Sequence, residues 1–300
     1  METGGDAESA AREFEAHRAR LFAVGYRLLG SVSEAEDAVQ DTYLRWNGAD
    51  RAGVLVPAAW LTKVLTNLCL NRLASARARR ESYVGPWLPE PVRTDRGEVL
   101  GVLETAVQRE SVSLALLTLL EELTPAERAV FVLREAFGYS HREIAEILDV
   151  REEHSRQLHR RARLRVGEPR GRYAVDAAQR ARIVERFFAA TIAGDVAGLE
   201  RLLAEDVVSW ADGGGNMTAA RRAIVGREKV LRYLFGLGAR LEGGPIGLAP
   251  AEINGESAML IHLGDTLAAV VVPEITDGLI TCVRLILNPD KLAFVAGQGA

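Results

Sequence analysis

A chain of 300 residues with 48% hydrophobic and 26% charged content has globular composition, and its length points to two or three domains that can bury real cores. The net charge of −4 excludes a generally basic nucleic-acid binder, so any DNA contact must rest on local clusters. No apolar run approaches the roughly 18 residues of a membrane span, the N-terminal METGGDAESAAREFEAH is acidic and polar rather than a signal, and Cys69 and Cys282 alone form neither a disulfide framework nor a zinc site. The expectation is a cytoplasmic protein with two buried free thiols, no metal and no membrane partner.

Residues from about 10 to 80 read as helices, with apolar residues at helical spacing and glycine and proline between the periodic stretches. Ser33 with Glu36, Thr124 with Glu127 and Ser140 with Glu143 fit the capping box, and Pro125 sits at a first helical position. Asp37 and Asp41 stand one turn apart on an acidic stretch with Glu34 and Glu36, which suits a basic protein partner. In AAWLTKVLTNLCLNRL, Lys63, Asn67 and Asn71 recur at i, i+4, i+8, while Trp60, Leu61, Val64, Leu65 and Leu68 supply the apolar side, Trp60 being read as core rather than as a stacking platform. Amides at such spacing can read an exposed base edge, and Arg72, Arg77, Arg79 and Arg80 can hold a nucleic-acid backbone.

Pro86, Pro89 and Pro91 favour an extended connection, so 81–111 is expected to be a linker between helical blocks. The block 112–166 ends in YSHREIAEILDVREEHSRQLHRRARLRV, a helix-turn-helix pattern: a capped helix at about 140–148, a turn at Asp149–Val150, and an arginine-rich second helix. Ile144, Ala145, Ile147, Leu148, Val150, Leu158 and Ala162 would hold the crossing. Arg151, His154, Arg156 and Gln157 could reach base edges in the major groove, and Arg160, Arg161, Arg163 and Arg165 phosphates. GEPRGRY marks a boundary; helical stretches near 177–194 and 196–204 then precede strand-like AMLIHL, LAAVVVPEI and LITCVRLIL, which predicts a separate α+β domain.

The segments FEAHRARLFAVGYRLLGSVSEAEDAVQDTYLRW, AAWLTKVLTNLCLNRLASARARR and LTPAERAVFVLREAFGYSHREIAEIL, in this order and spacing, resemble regions two and four of extracytoplasmic-function sigma factors over most of 10–166. The resemblance implies a polymerase-facing helix with Asp37, Gln40 and Asp41. It implies binding of the −10 promoter element by Lys63, Asn67, Asn71, Arg72, Arg77, Arg79 and Arg80, with capture of an unstacked base. It also implies binding of the −35 element by Arg151, His154, Arg156, Gln157, Arg160, Arg161 and Arg163. WLPEP at 87–91, DGGG at 212–215 and NPDKL at 288–292 resemble marks of the sigma J-like subgroup, which carries a SnoaL/NTF2-like extension understood as an in-built regulator. On that basis Trp87, Leu88, Pro89, Glu90, Pro91, Asp212, Gly213, Gly214, Gly215, Asn288, Pro289, Asp290, Lys291 and Leu292 are expected interdomain contacts.

The fold expected is multidomain: an all-α region 2 bundle (8–80), a linker (81–111), an all-α region 4 helix-turn-helix (112–168) and an α+β SnoaL/NTF2-like cone (175–296). The partners implied are core RNA polymerase and promoter DNA, with a small-molecule effector in the C-terminal domain as a further expectation; no cofactor is implied. Two competing readings remain. An enzyme could use Asp212 with His262 for proton transfer in an apolar pocket, and a polymerase-independent repressor would explain 112–166 but leave the acidic helix and the Trp60–Arg80 segment without a purpose. DGGG is also readable as a flexible connection after a strand, and is no P-loop, since the lysine and Ser/Thr of that motif do not follow.

Overall fold

The computed structural model describes residues 3–81, 83–96, 99–100, 106–167, 177–215, 217–239 and 244–298, and side chains for a slightly smaller set. The chain divides into one unit of residues 1–81 and 98–168 and a second of residues 82–97 and 169–300. The proline-rich stretch therefore belongs with the C-terminal domain, although in sequence it joins the two helical blocks. Most of the GEPRGRY boundary lies outside the described residues.

The first unit is helical: α1 (Thr3–Leu29), α2 (Val32–Asn47), α3 (Pro57–Glu81), α4 (Ala106–Glu110), α5 (Leu114–Leu120), α6 (Pro125–Glu135), α7 (His141–Leu148) and α8 (Glu152–Val166). The five-residue α4 lies inside the stretch expected to be irregular linker. Two capping boxes form as expected, at Thr124/Glu127 and Ser140/Glu143, and Pro125 opens α6. The third is displaced. Gly30 at φ +66 ends α1 in the left-handed region, so Ser31 is the extended residue whose hydroxyl accepts from Glu34 N, and Ser33 lies within the first turn of α2. Trp46, 1% exposed, anchors α2 by donating Nε1–H to Ala10 O at 3.2 Å, and the half-buried Trp60 ring packs 5.3 Å from it.

The helical blocks pack on one another through α1 and α3 against α6 and α7. Arg27, buried, donates Nε–H to Ser111 Oγ at 3.1 Å and Nη1–H to Leu100 O at 3.3 Å; burial lowers its pKa to about 10. Thr62 Oγ1 and Tyr139 OH lie 3.3 Å apart, and the Arg20 guanidinium sits over the Phe137 and Tyr139 rings.

The second unit runs α9 (Ala177–Ala193), α10 (Val196–Leu202), β1 (Leu203–Asp212), β2 (Ile224–Val225), α11 (Arg227–Gly238), β3 (Ile246–Ile253), β4 (Glu256–Leu263), β5 (Thr266–Thr276), β6 (Leu279–Ile286) and α12 (Pro289–Gly297). The strands form one sheet of order β2-β1-β6-β5-β4-β3, antiparallel except for β1 beside β6. Phe187, Leu199, Val230 and Leu234 of the helices meet Val271, Val283 and Leu285 in one apolar cluster. Leu260, Val270, Val272 and Ile286 alternate with the inward strand residues and are buried as well, so the sheet is covered on both faces, and α12 packs along β5. Asn254–Gly255 and Asp277–Gly278 take consecutive positive φ angles at the β3–β4 and β5–β6 turns, the signature of tight hairpins. The helices-then-strands order is the α+β order expected; β1, β3, α11 and α12 are elements that the sequence pattern leaves unassigned. Cys69 and Cys282 are buried free thiols, and burial pushes the Cys69 thiol up to about 12.

Candidate functional site

Three groups of side chains stand where recognition could occur. On α2, Asp37 and Gln40 are exposed and Asp41 half-exposed, while Ala35, Ala38, Val39 and Thr42 are buried beneath them. The face is not left to solvent alone: Arg72 of α3 places Nη2 2.7 Å from Asp41 Oδ2 and Nη1 3.6 Å from Asp37 Oδ2. A residue expected to contact DNA is thus ion-paired with residues expected to face polymerase.

On α3 the polar stripe forms. Lys63 and Asn71 are exposed and Asn67 half-buried, with Leu61, Leu65 and Leu68 buried opposite. Lys63 Nζ donates to the main-chain carbonyl of Glu146 in α7 at 2.8 Å. Arg77, Arg79 and Arg80 lie on α3, but their side chains fall outside the described residues.

In the helix-turn-helix, Ile144, Ala145, Ile147, Leu158 and Ala162 are buried and Leu148 and Val150 partly so. Asp149 occupies the turn at φ 55, the left-handed position where glycine is cheapest. Arg151, His154, Arg156, Gln157, Arg160, Arg161 and Arg163 are all exposed on α8, with Ser155 fully buried between them. The acidic start of α8 is neutralised locally, since Glu152 pairs with Arg156. Glu127 of α6, 2% exposed, holds Arg161 at 3.3 Å and Arg165 more closely. Burial pushes its carboxyl up, but the Thr124 cap and these arginines outweigh that and hold it below the usual carboxylate range.

The three short motifs meet around one buried ion pair in the second unit. Asp212, at the end of β1 and fully buried, accepts from Lys291 Nζ at 2.7 Å, Leu88 N at 2.8 Å, Tyr83 OH at 2.6 Å and Gly214 N at 3.1 Å. Lys291 also donates to Leu88 O at 2.5 Å, and its ammonium lies 4.2 Å from the Trp87 ring centroid and 5.0 Å from that of Tyr83. Burial and the Asp212 carboxylate push the Tyr83 phenol well above its ordinary value. NPDKL is a helix start: Asn288 caps α12, accepting from Asp290 N, with Pro289 next and Leu292 buried on the inner side. Asn288 also donates to Tyr83 OH at 3.0 Å.

DGGG is not a flexible connector. A Cβ on Gly213 would sit 2.6 Å from Met217 O and one on Gly214 2.4 Å from Asn288 Nδ2, while Gly215 would bring it 3.3 Å from Val84. In WLPEP, Leu88, Pro89 and Pro91 are buried and Trp87 and Glu90 half-buried. Four further anchors were not singled out from sequence. Val92 N donates to Asn254 Oδ1 and Asn254 N to Val92 O, both at 2.9 Å. Thr94 Oγ1 bonds Glu252 Oε1 at 2.7 Å, and Arg93 N donates to Gln298 Oε1 at 2.9 Å. The Asn-Gly dipeptide is the sequence signal that places Asn254 at a turn; its pairing with the linker has none.

Asp212 and His262 do not form a proton-transfer pair. They lie on β1 and β4 with β6 and β5 between, a separation of roughly 14 Å at about 4.8 Å per strand, and Asp212 is committed to the linker.

Residues 14–79 match the family model "Sigma-70 region 2" and residues 113–166 the model "Sigma-70, region 4". The ECF RNA polymerase sigma factor SigJ of Mycobacterium tuberculosis (strain ATCC 25618 / H37Rv) is 39% identical over 295 residues, covering 93% of this chain and 92% of its own. The chain is an extracytoplasmic-function RNA polymerase sigma factor. The probable sigma factor SigI of the same organism is 30% identical over 284 residues, 93% of each chain. The crystal structure of M. tuberculosis SigJ superposes with a TM-score of 0.75 at 34% identity, covering 95% of this sigma factor and 98% of that one, so the likeness spans the helical sigma domains and the α+β sheet domain alike. As a sigma factor it serves core RNA polymerase at promoter DNA in transcription initiation, and it is not an enzyme. Among the described residues no helix is long and apolar enough to cross a membrane.

Proposed function

We propose that the promoter-reading work of this sigma factor divides as follows. Asp37, Gln40 and Asp41 face a basic surface of core polymerase. Lys63, Asn67, Asn71 and Arg72, with Arg77, Arg79 and Arg80 further along α3, engage the −10 element, and the exposed face of α8 from Arg151 to Arg163 engages the −35 element. The domain boundaries near 80, 112 and 168 follow the same division. Working with core polymerase sets the protein in the cytoplasm.

The C-terminal domain acts as an in-built regulator by controlling the segment that joins the promoter-reading modules. The observation that carries this reading is the anchoring of residues 83–94 by Asp212, Lys291, Asn288 and Asn254. An extended connection tied at both ends of its docked stretch has a different reach from a loose one of equal length. A cleft of about 280 Å3, lined among others by Val84, Gly85, Gly213, Thr218 and Arg221, supports a small-molecule effector that would favour the docked linker.

Run-off transcription with core polymerase tests both halves, comparing the full chain, a chain ending near Gly167 and one lacking the NPDKL helix. Promoter-specific transcripts that differ in amount among the three are expected. No transcript from any would sink the assignment of modules to promoter elements, and equal transcripts from all would remove the regulatory role.

A further inference from the structure

The C-terminal domain has a basic surface that its own packing does not use. From Gly213 to Arg232 the chain carries Arg221, Arg222, Arg227, Lys229 and Arg232 and a single carboxylate, Glu228, although the net charge of the whole is −4. Glu228 is taken by Arg232 at 2.6 Å. Arg221, Arg222, Arg227 and Lys229 enter no ion pair among the described residues. Arg221, Arg222 and Lys229 are exposed, and the half-buried Arg227 keeps a buried Nε without a hydrogen bond. Asp212, which precedes the stretch, is fully buried and neutralised by Lys291.

Folding does not call for this arrangement. On ordinary solvated faces of the chain, acid and base alternate and pair, as Glu8 does with Arg12 and Glu152 with Arg156. Here Arg227 and Lys229 stand in the first turn of α11, where the helix dipole disfavours cations, and Gly226 offers no side-chain cap. Four unpaired cations in sequence proximity make a local positive field that an anionic partner would neutralise.

The position of Arg221 indicates the partner. Strand β2 runs antiparallel to β1, with Val225 opposite Val208 and Ile224 opposite Ser209, so the residues before it run toward the Asp212 end. There they meet the docked linker: a Cβ on Gly85 would stand 3.7 Å from Arg221 Cα and 3.9 Å from Ala220 O. Gly85 is four residues beyond Glu81, where α3 ends. The chain therefore holds it within about 14 Å of that end, at about 3.6 Å per residue, whatever the arrangement of the two units. Over such a length duplex DNA presents about eight phosphates, at one per roughly 1.7 Å.

We infer that Arg221 and Arg222 form a phosphate-binding site for the duplex between the −10 and −35 elements, so that the C-terminal domain contacts promoter DNA directly. The inference rests on the reading of α3 and α8 given above, because a linker that joins the two modules follows the DNA between their elements. A domain that grips this linker is carried along the same duplex. Guanidinium groups on an exposed loop hold phosphates without reading bases, so the site strengthens binding whatever the spacer sequence.

The test measures binding of the full factor with core polymerase to a linear promoter fragment across a salt series. Arg221→Ser combined with Arg222→Ser should reduce the slope of log K against log salt by about 1.8, for two phosphates at about 0.9 each, and weaken binding by at least about tenfold at 0.1 M salt. Arg221→Lys with Arg222→Lys should keep most of the slope. The same loss is expected after the spacer sequence is exchanged, and no difference from wild type on a fragment whose spacer phosphates are neutral methylphosphonates. An unchanged slope in the serine variant overturns the inference. A loss that persists on the methylphosphonate spacer also overturns it, as does weaker assembly with core polymerase at an unchanged slope, which would turn the arginines toward the enzyme. Arg160→Ser with Arg163→Ser on α8 serves as the reference. If that pair lowers the slope and the 221/222 pair does not, the inference alone fails; if the α8 pair leaves the slope unchanged, the −35 reading fails and takes the spacer placement with it.

Discussion

Asp212 is a fully buried carboxylate whose acceptor sites are filled by one ammonium, one phenol and two amides. Removing one charge of such a pair leaves the other buried and uncompensated, so Asp212→Asn is expected to cost about 3–5 kcal/mol in urea unfolding, with part recovered in Asp212→Asn combined with Lys291→Met. Gly214 and Gly236 make a matched contrast. Alanine at 214 meets Asn288 Nδ2 at 2.4 Å with φ +62, whereas alanine at 236 in α11 meets nothing within 4 Å. Gly214→Ala should destabilise by about 1–3 kcal/mol and Gly236→Ala should stabilise slightly, both read as shifts in Tm. His141 gives a pH dependence. Burial, then the His159 ring, Arg134 and Arg156, lower its pKa below 6.5, against Glu152. The unfolded chain therefore binds the proton more tightly, and stability is full above pH 6.5 and is lost as pH falls from there through the lower folded value. His141→Gln should flatten that part of the unfolding-midpoint profile; an unchanged slope would assign the acid sensitivity elsewhere.

Helix boundaries show how local chemistry succeeds and where it slips. Thr124, Ser140 and Pro125 are legible because cap, box and N1 proline depend on residues within one turn of each other. Ser33 with Glu36 satisfies the same pattern, but Gly30 ends α1 so abruptly that Ser31 takes the cap. Ser31→Ala should cost about 1 kcal/mol and Ser33→Ala less, measured by denaturant unfolding; the reverse order would place the cap at Ser33. NPDKL is a motif by resemblance and a helix start by physics, with Asn, Pro and Asp in their favoured positions and Lys291 one turn in, facing Asp212. The helix-turn-helix could be read through its apolar positions, even with Asp149 in place of the usual glycine, because a short polar side chain tolerates the left-handed region.

For the molecule as a whole, connectivity and proximity part ways. Residues 83–94 lie between the helical blocks in sequence yet are bonded to the C-terminal sheet, and Lys63 and Glu146, 83 positions apart, are in contact. By itself the sequence determined the family, the two helical modules and the helices-then-strands order of the last domain, because these are written in periodicity, caps and contiguous motifs. Tertiary structure alone decided that Asp212 serves the linker rather than His262, that the DGGG glycines are needed for close approach rather than freedom, that Asn254 pairs with Val92, and that Arg72 and Lys63 are held internally. Each of these depends on which distant segments share a buried, low-dielectric volume, and a one-dimensional pattern does not encode that pairing.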